Sequence, residues 1–191
     1  MNEYEVQQWR TARGLGDLGE LTAHWLTGDL ASRPGYPPGE GPYVETHELI
    51  GTLAACNRGG FVTNASQPGF PESAGPDGVV WVQRAAVTGF AEEEVLERIR
   101  AAVAGTELVL LTPTATDRNP DGIVVTTRNG KQHTTFGTWL SRRAVADSFD
   151  VCKSAAIDAL CSADQPTLVD PVWGRNTVLW PFLDDLFGTT T

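Results

Sequence analysis

Apolar and polar positions alternate along this chain with two periods, and most runs end at a Gly, Pro or Asn. Leu18, Leu21, Trp25 and Leu26 recur at helical spacing behind Asp17, which with Glu20 comes close to a capping box, and Gly28 closes the run. Leu49, Ile50, Leu53 and Cys56 repeat that spacing. Thr46 is the predicted N-cap there, Glu48 sits in the first turn, and Asn57-Arg58-Gly59-Gly60 stops the helix. A third face, Val95, Leu96, Ile99 and Val103, follows an acidic start at Glu92-Glu93-Glu94. One or two helices are expected over 138–162, around Trp139, Leu140, Val145, Phe149, Ile157 and Leu160. A last helix is expected from an Asn176 cap to about Phe187, with Pro181 leaving its start open.

The shorter period marks strands. Residues 61–63 read as a short strand that leaves into a polar loop at 64–69. Residues 79–87 read as one strand, 107–111 as another and 167–169 as the last. Residues 123–127 and 132–136 flank Arg128-Asn129-Gly130-Lys131, and Asn-Gly between two β-prone runs predicts a hairpin. Residues 31–43 and 69–78 are Pro/Gly-rich without periodicity, the first being a connector or a lid, and 112–121 is polar and expected to be exposed. Residues 1–15, polar apart from Trp9, are expected to dock late or fray, so the domain is placed at 16–191. The interleaving gives an α/β (mixed α+β) class, one domain with mixed β-sheets flanked by helices.

Composition narrows the function. The 191 residues are 41% hydrophobic, enough for one real core. A net charge of −10, from 24 acidic against 14 basic residues, argues against nucleic acid as a partner. Cys56, Cys152 and Cys161 show no CxxC, and His24, His47 and His133 show no ligand spacing, so neither disulfides nor a metal are expected. No apolar run approaches spanning length and the N-terminus lacks a signal pattern, so no membrane partner and a cytoplasmic location are expected. Neither a GxSxG elbow nor a phosphate loop is present; GLGDLG at 14–19 lacks the strand–turn–helix setting of a dinucleotide fingerprint. The Trp residues, Trp81, Trp139 and Trp180 included, read as core.

The candidate chemistry lies at 45–68, ETHELIGTLAACNRGGFVTNASQP. An antiparallel helix–strand return brings Glu45 and Thr46 near Thr63 and Ser66, a polar cluster with one carboxylate, suited to binding rather than bond breaking. The plainer readings are a solvated acid (Glu45), a cap (Thr46), a strand hydroxyl (Thr63), a turn former (Ser66) and a rigid turn at Gln67-Pro68.

The Glu-Thr pair, the Asn-Arg-x-Gly turn and the Thr-x-x-Ser-Gln-Pro exit resemble the C-terminal regulatory domain of eukaryotic-type methylenetetrahydrofolate reductase, which binds S-adenosylmethionine (SAM) and S-adenosylhomocysteine (SAH). The segment from Leu18 to Gly28, the block VVWVQRAAVTGFAEEEVLERIRAAV and the run LVDPVWGRNTVLW are similar to that domain in the same order. The resemblance implies a SAM- or SAH-binding pocket with Glu45 and Thr46 on one wall and Thr63 and Ser66 on the other. Glu45 would hold ribose hydroxyls or an ammonium, and Thr63 and Ser66 the ligand's amino-acid end. Thr134 or Thr135, otherwise ordinary strand residues, would form a third side. It also implies a possible homodimer or partner enzyme, with neither flavin nor metal. The reductase's barrel and linker are absent from these residues, so folate reduction is not expected and the chain reads as a stand-alone sensor or regulatory module. The alternatives are a small enzyme acting on SAM or a related metabolite in the same pocket, and an interaction module whose pocket has decayed.

Overall fold

The computed structural model describes residues 1–116 and 122–188. Eight strands form two four-stranded sheets. β1 (Val62–Gln67), β4 (Ala86–Phe90), β8 (Thr167–Val169) and β5 (Val109–Leu111) make the first, in the order β1-β4-β8-β5. β2 (Phe70–Ala74), β3 (Val80–Gln83), β6 (Ile123–Arg128) and β7 (Lys131–Phe136) make the second, in the order β2-β3-β6-β7. The class is mixed α+β. Each sheet is antiparallel throughout, so the mixed strand directions expected within a sheet do not occur. Hairpins and long returns supply every neighbour, which leaves no parallel crossover to build.

Alternation within the strands stacks three layers. Val87 and Leu168 point into the main core beneath the helices, and their neighbours Ala86 and Val169 point the other way, onto Val125 of β6. The helices α1 (Glu3–Thr11), α2 (Leu15–Thr27), α3 (Ile50–Arg58), α4 (Glu93–Val103), α5 (Arg142–Ser148), α6 (Ser154–Ser162) and α7 (Leu179–Phe187) all contribute to that main core. At the tightest crossing, a Cβ on Gly19 of α2 would lie 2.3 Å from the carbonyl oxygen of Asn57 in α3, so only glycine fits.

Several boundaries move. Residues 1–15 are not a fraying segment: Asn2 and Glu5 form a capping box, and Trp9 is fully buried in the same core as the rest of the domain. α2 starts behind Gly14, not Asp17, because Leu15 is already drawn into the core; Asp17 accepts instead from the Arg13 amide. The predicted strand 79–87 is two strands in different sheets, broken at Arg84-Ala85, where the chain crosses from Gln83 (paired with Thr126) to Ala86 (paired with Gln67). Residues 64–67 are strand, not loop, and 70–74 form an edge strand whose exposed side chains leave no alternation to read.

Other expectations hold. Asn129 and Gly130 both take positive φ at the β6–β7 turn, as an Asn-Gly hairpin requires. Two helices occupy 138–162. Pro181 sits in the first turn of α7, where its missing amide costs nothing. Asn176 is not that helix's cap; its side-chain oxygen accepts from the Gly69 amide and from the Trp180 indole. In the stretch expected to be exposed, Thr114, Ala115 and Thr116 are, Thr112 and Pro113 are half-buried, and 117–121 lie outside the described residues.

Candidate ligand-binding site

The site grows from the α3–β1 return. Asn57, at the end of α3, accepts from the Thr63 amide (3.0 Å) and donates to the Thr63 hydroxyl (2.7 Å) and to the Leu53 carbonyl (2.8 Å). All three bonds are buried, so Thr63 is held in one rotamer with its hydroxyl proton still available to donate. Beyond it the register of β1 shifts between Thr63 and Ala65, a bulge that re-aims the side chains that follow. Gln67 ends the strand as a clamp between the sheets. Its amide donates to the carbonyls of Arg84 (3.0 Å) and Val125 (2.9 Å) and accepts from the Thr126 hydroxyl (2.9 Å). The Gln67-Pro68 turn is therefore a structural joint.

In front of this return lies a cavity of about 360 Å³, within the range that holds small-molecule ligands. Its floor is β1 from Thr63 to Gln67 with Leu53 of α3, and Thr22, Trp25 and Leu26 of α2 close one end. The second sheet closes the other end with Trp81, Gln83, Thr126, His133, Thr134 and Phe136. The loop at 31–43 supplies Arg33, Tyr36, Pro42 and Tyr43, and so borders the cavity beside Glu45. Aromatic rings run along that side: Trp25 and Tyr36 lie 4.6 Å apart, and Tyr36 and Tyr43 5.8 Å.

Five of the six expected residues line this cavity: Glu45, Thr46, Thr63, Ser66 and Thr134. Thr135 does not; its hydroxyl accepts from Gln132. Strand alternation separates it from Thr134. Thr46 is not an N-cap, because Val44–Leu49 winds a 3₁₀ helix ahead of α3 and Thr46 is inside it, its amide donating to Tyr43. Among the described residues, no protein group bonds the Glu45 carboxylate or the hydroxyls of Thr46 and Ser66. Thr46 is buried, Ser66 half-buried and Glu45 exposed to solvent beside the cavity.

Residues that sequence reasoning missed share no period with their neighbours. Arg33 is the main one. It is 4% exposed, its guanidinium stacks over Trp25 (5.4 Å) and Tyr36 (5.3 Å), and it donates to the carbonyls of Thr63 (3.2 Å) and Asn64 (3.5 Å). Burial presses its pKa below the ordinary arginine value, and the Tyr36 hydroxyl counters this only in part. The loop that carries it is pinned from behind by α1: the Glu5 carboxylate accepts from the amides of Ala31 (2.7 Å) and Ser32 (3.1 Å), and the Trp9 indole donates to Ser32 (3.1 Å). Trp81, read as core, is half-buried on β3, edge-on to His133 at 4.9 Å.

Elsewhere the described residues hold no cluster of three or more His, Cys, Asp or Glu placed for a metal, and no helix long and apolar enough to cross a membrane. The family described as a domain of unknown function (DUF6919) matches residues 4–190, nearly the whole chain. Among curated proteins, none matches.

Proposed function

The chain belongs to the DUF6919 family, and we propose that it binds S-adenosylmethionine or S-adenosylhomocysteine non-covalently, as a sensor or regulatory module. One observation carries this reading. Glu45, Thr46, Thr63 and Ser66 from one local return and Thr134 from the distant β7, which the resemblance to the reductase's regulatory domain singled out, line a single cavity. The polar groups are arranged to hold rather than to cleave. Glu45 offers two acceptors to a ribose diol or an ammonium, Thr63 offers a fixed donor, and the exposed Tyr43 ring offers a face for a purine.

The test is isothermal titration calorimetry with SAM and SAH, followed by chromatography of the mixture. Saturable heat with intact ligand is expected, and recovery of a converted ligand would replace the binding reading with an enzymatic one. Glu45→Ala and Thr63→Val are each expected to weaken binding about tenfold or more, since each removes a group that orients the ligand. Full-strength binding by both variants would sink these assignments.

A further inference from the structure

A buried cation needs an anion, and Arg33 has none among the described residues. Buried arginines are ordinarily paired with a carboxylate, because taking the charge out of water costs more than stacking returns. Among the described residues no carboxylate forms an ion pair with Arg33, and its buried Nε has no hydrogen-bond partner at all. The fold holds this guanidinium in place nonetheless, through the Thr63 and Asn64 carbonyls, through the rings of Trp25, Tyr36 and Phe149, and through the α1 contacts that fix Ala31 and Ser32. Arg84, the other arginine with an unpartnered Nε, makes the contrast. It is only half-buried, stacks on Trp173 at 4.2 Å and feels the charge of Asp170.

We propose that Arg33 is the anchor for a carboxylate carried by the ligand, and that the pocket therefore takes a nucleoside bearing an amino-acid end rather than a bare nucleoside or a nucleotide. The nucleoside half rests on the adenosyl reading above; the carboxylate half rests on Arg33. With Nη1 and Nη2 already donating to the Asn64 and Thr63 carbonyls, and no lysine among the described lining residues, the lone guanidinium matches a monoanion rather than a phosphate dianion. Glu45, the only carboxylate among the described lining residues, completes a zwitterion site by facing the ligand's ammonium. Because Arg33 is bonded to the carbonyl of Thr63, the anchor sits beside Thr63.

The experiment separates the carboxylate from everything else in the ligand. SAH and its decarboxylated analogue, the S-adenosyl thiopropylamine, are titrated calorimetrically into the full chain and into Arg33→Met. Wild type is expected to bind SAH about 30-fold or more tighter than the amine, and Arg33→Met to erase that gap by weakening SAH alone. Equal affinity for the two ligands in wild type, which needs no variant to fold, overturns the proposal, as does an equal loss of both in Arg33→Met. If no adenosyl compound gives heat, the adenosyl reading fails and the anchor is read separately, by thermal melting with L-methionine and with inorganic phosphate. Stabilisation by L-methionine that vanishes in Arg33→Met sustains the carboxylate anchor. Stabilisation by phosphate alone, or by neither, overturns it.

Discussion

The two sheets are built from similar numbers of residues but are held by different forces. The first is covered on both sides: Val87, Phe90 and Leu168 are buried beneath the helices, and Ala86 and Val169 beneath the second sheet. The second buries only one patch, around Val125 with Ile123 and Phe136, and its edge strand β2 is exposed along its length. What holds it down is largely polar: the Gln67 clamp, the Arg84 guanidinium on the Val124 carbonyl (3.0 Å), and main-chain bonds such as Gly174 to Gln83 (2.9 Å). The first sheet is a core element, and the second is a wall hinged on hydrogen bonds. The cavity opens at their seam, so a ligand there touches both and tightens the weaker one.

The largest effect that sharpens this contrast is in the first sheet. Leu168→Ala removes a fully buried side chain and is expected to cost about 2–5 kcal/mol in urea denaturation, whereas Val82→Ala, on a half-buried strand of the second sheet, costs about 1 kcal/mol or less. Equal costs would break the comparison. Next comes the seam. Gln67→Leu keeps the volume but leaves the Arg84 carbonyl and the Thr126 hydroxyl without their partner and takes from the Val125 carbonyl one of its two donors, at about 1–3 kcal/mol. Hydrogen exchange should then quicken in β6 and β7 while β4 and β8 stay protected; uniform quickening would show that the sheets open together.

The smallest effect lies behind the loop that carries Arg33. Burial alone would raise the Glu5 pKa, but the hydrogen bonds it accepts from Asn2, Ala31 and Ser32 outweigh this and hold it below its ordinary 4.5. A carboxylate with a lowered folded pKa gives stability that is fully present above the unfolded value and lost as pH falls through the folded one. Glu5→Gln is therefore expected to lower the melting temperature by a few degrees at pH 7 and to match wild type once the pH is well below 4. It should also weaken binding of a carboxylate ligand by loosening the Arg33 loop. A melting deficit that persists unchanged in acid would show that the carboxylate's charge is not what fixes Ala31 and Ser32.

Of the site, the part that lies within one local return was legible. Glu45, Thr46, Thr63 and Ser66 come together because an apolar run at helical spacing, a glycine stop and a β-prone run leave little choice of path between them. Thr134 came from the family resemblance, and so did Thr135, which the alternation of β7 turns away from the cavity. Asn57 was read as a helix stop and proved to be the residue that fixes Thr63. Arg33 was passed over because a Pro/Gly loop has no periodicity, so nothing in the sequence says which of its side chains is drawn inward.

The sequence by itself determined the local matters: where most helices and strands lie, the Asn129-Gly130 turn, the Gly28 stop and the mixed α+β class. These depend on the spacing of apolar residues and on backbone preference, which act over a few positions. Only the tertiary structure decided that 79–87 divides between two sheets, that Trp9 belongs to the core, and that Arg33, Trp81 and Thr134 share a cavity with Glu45. A two-residue period tells which side chains share a face, but not what that face will meet. That is settled by the packing of the whole chain, where a buried charge without a partner becomes visible.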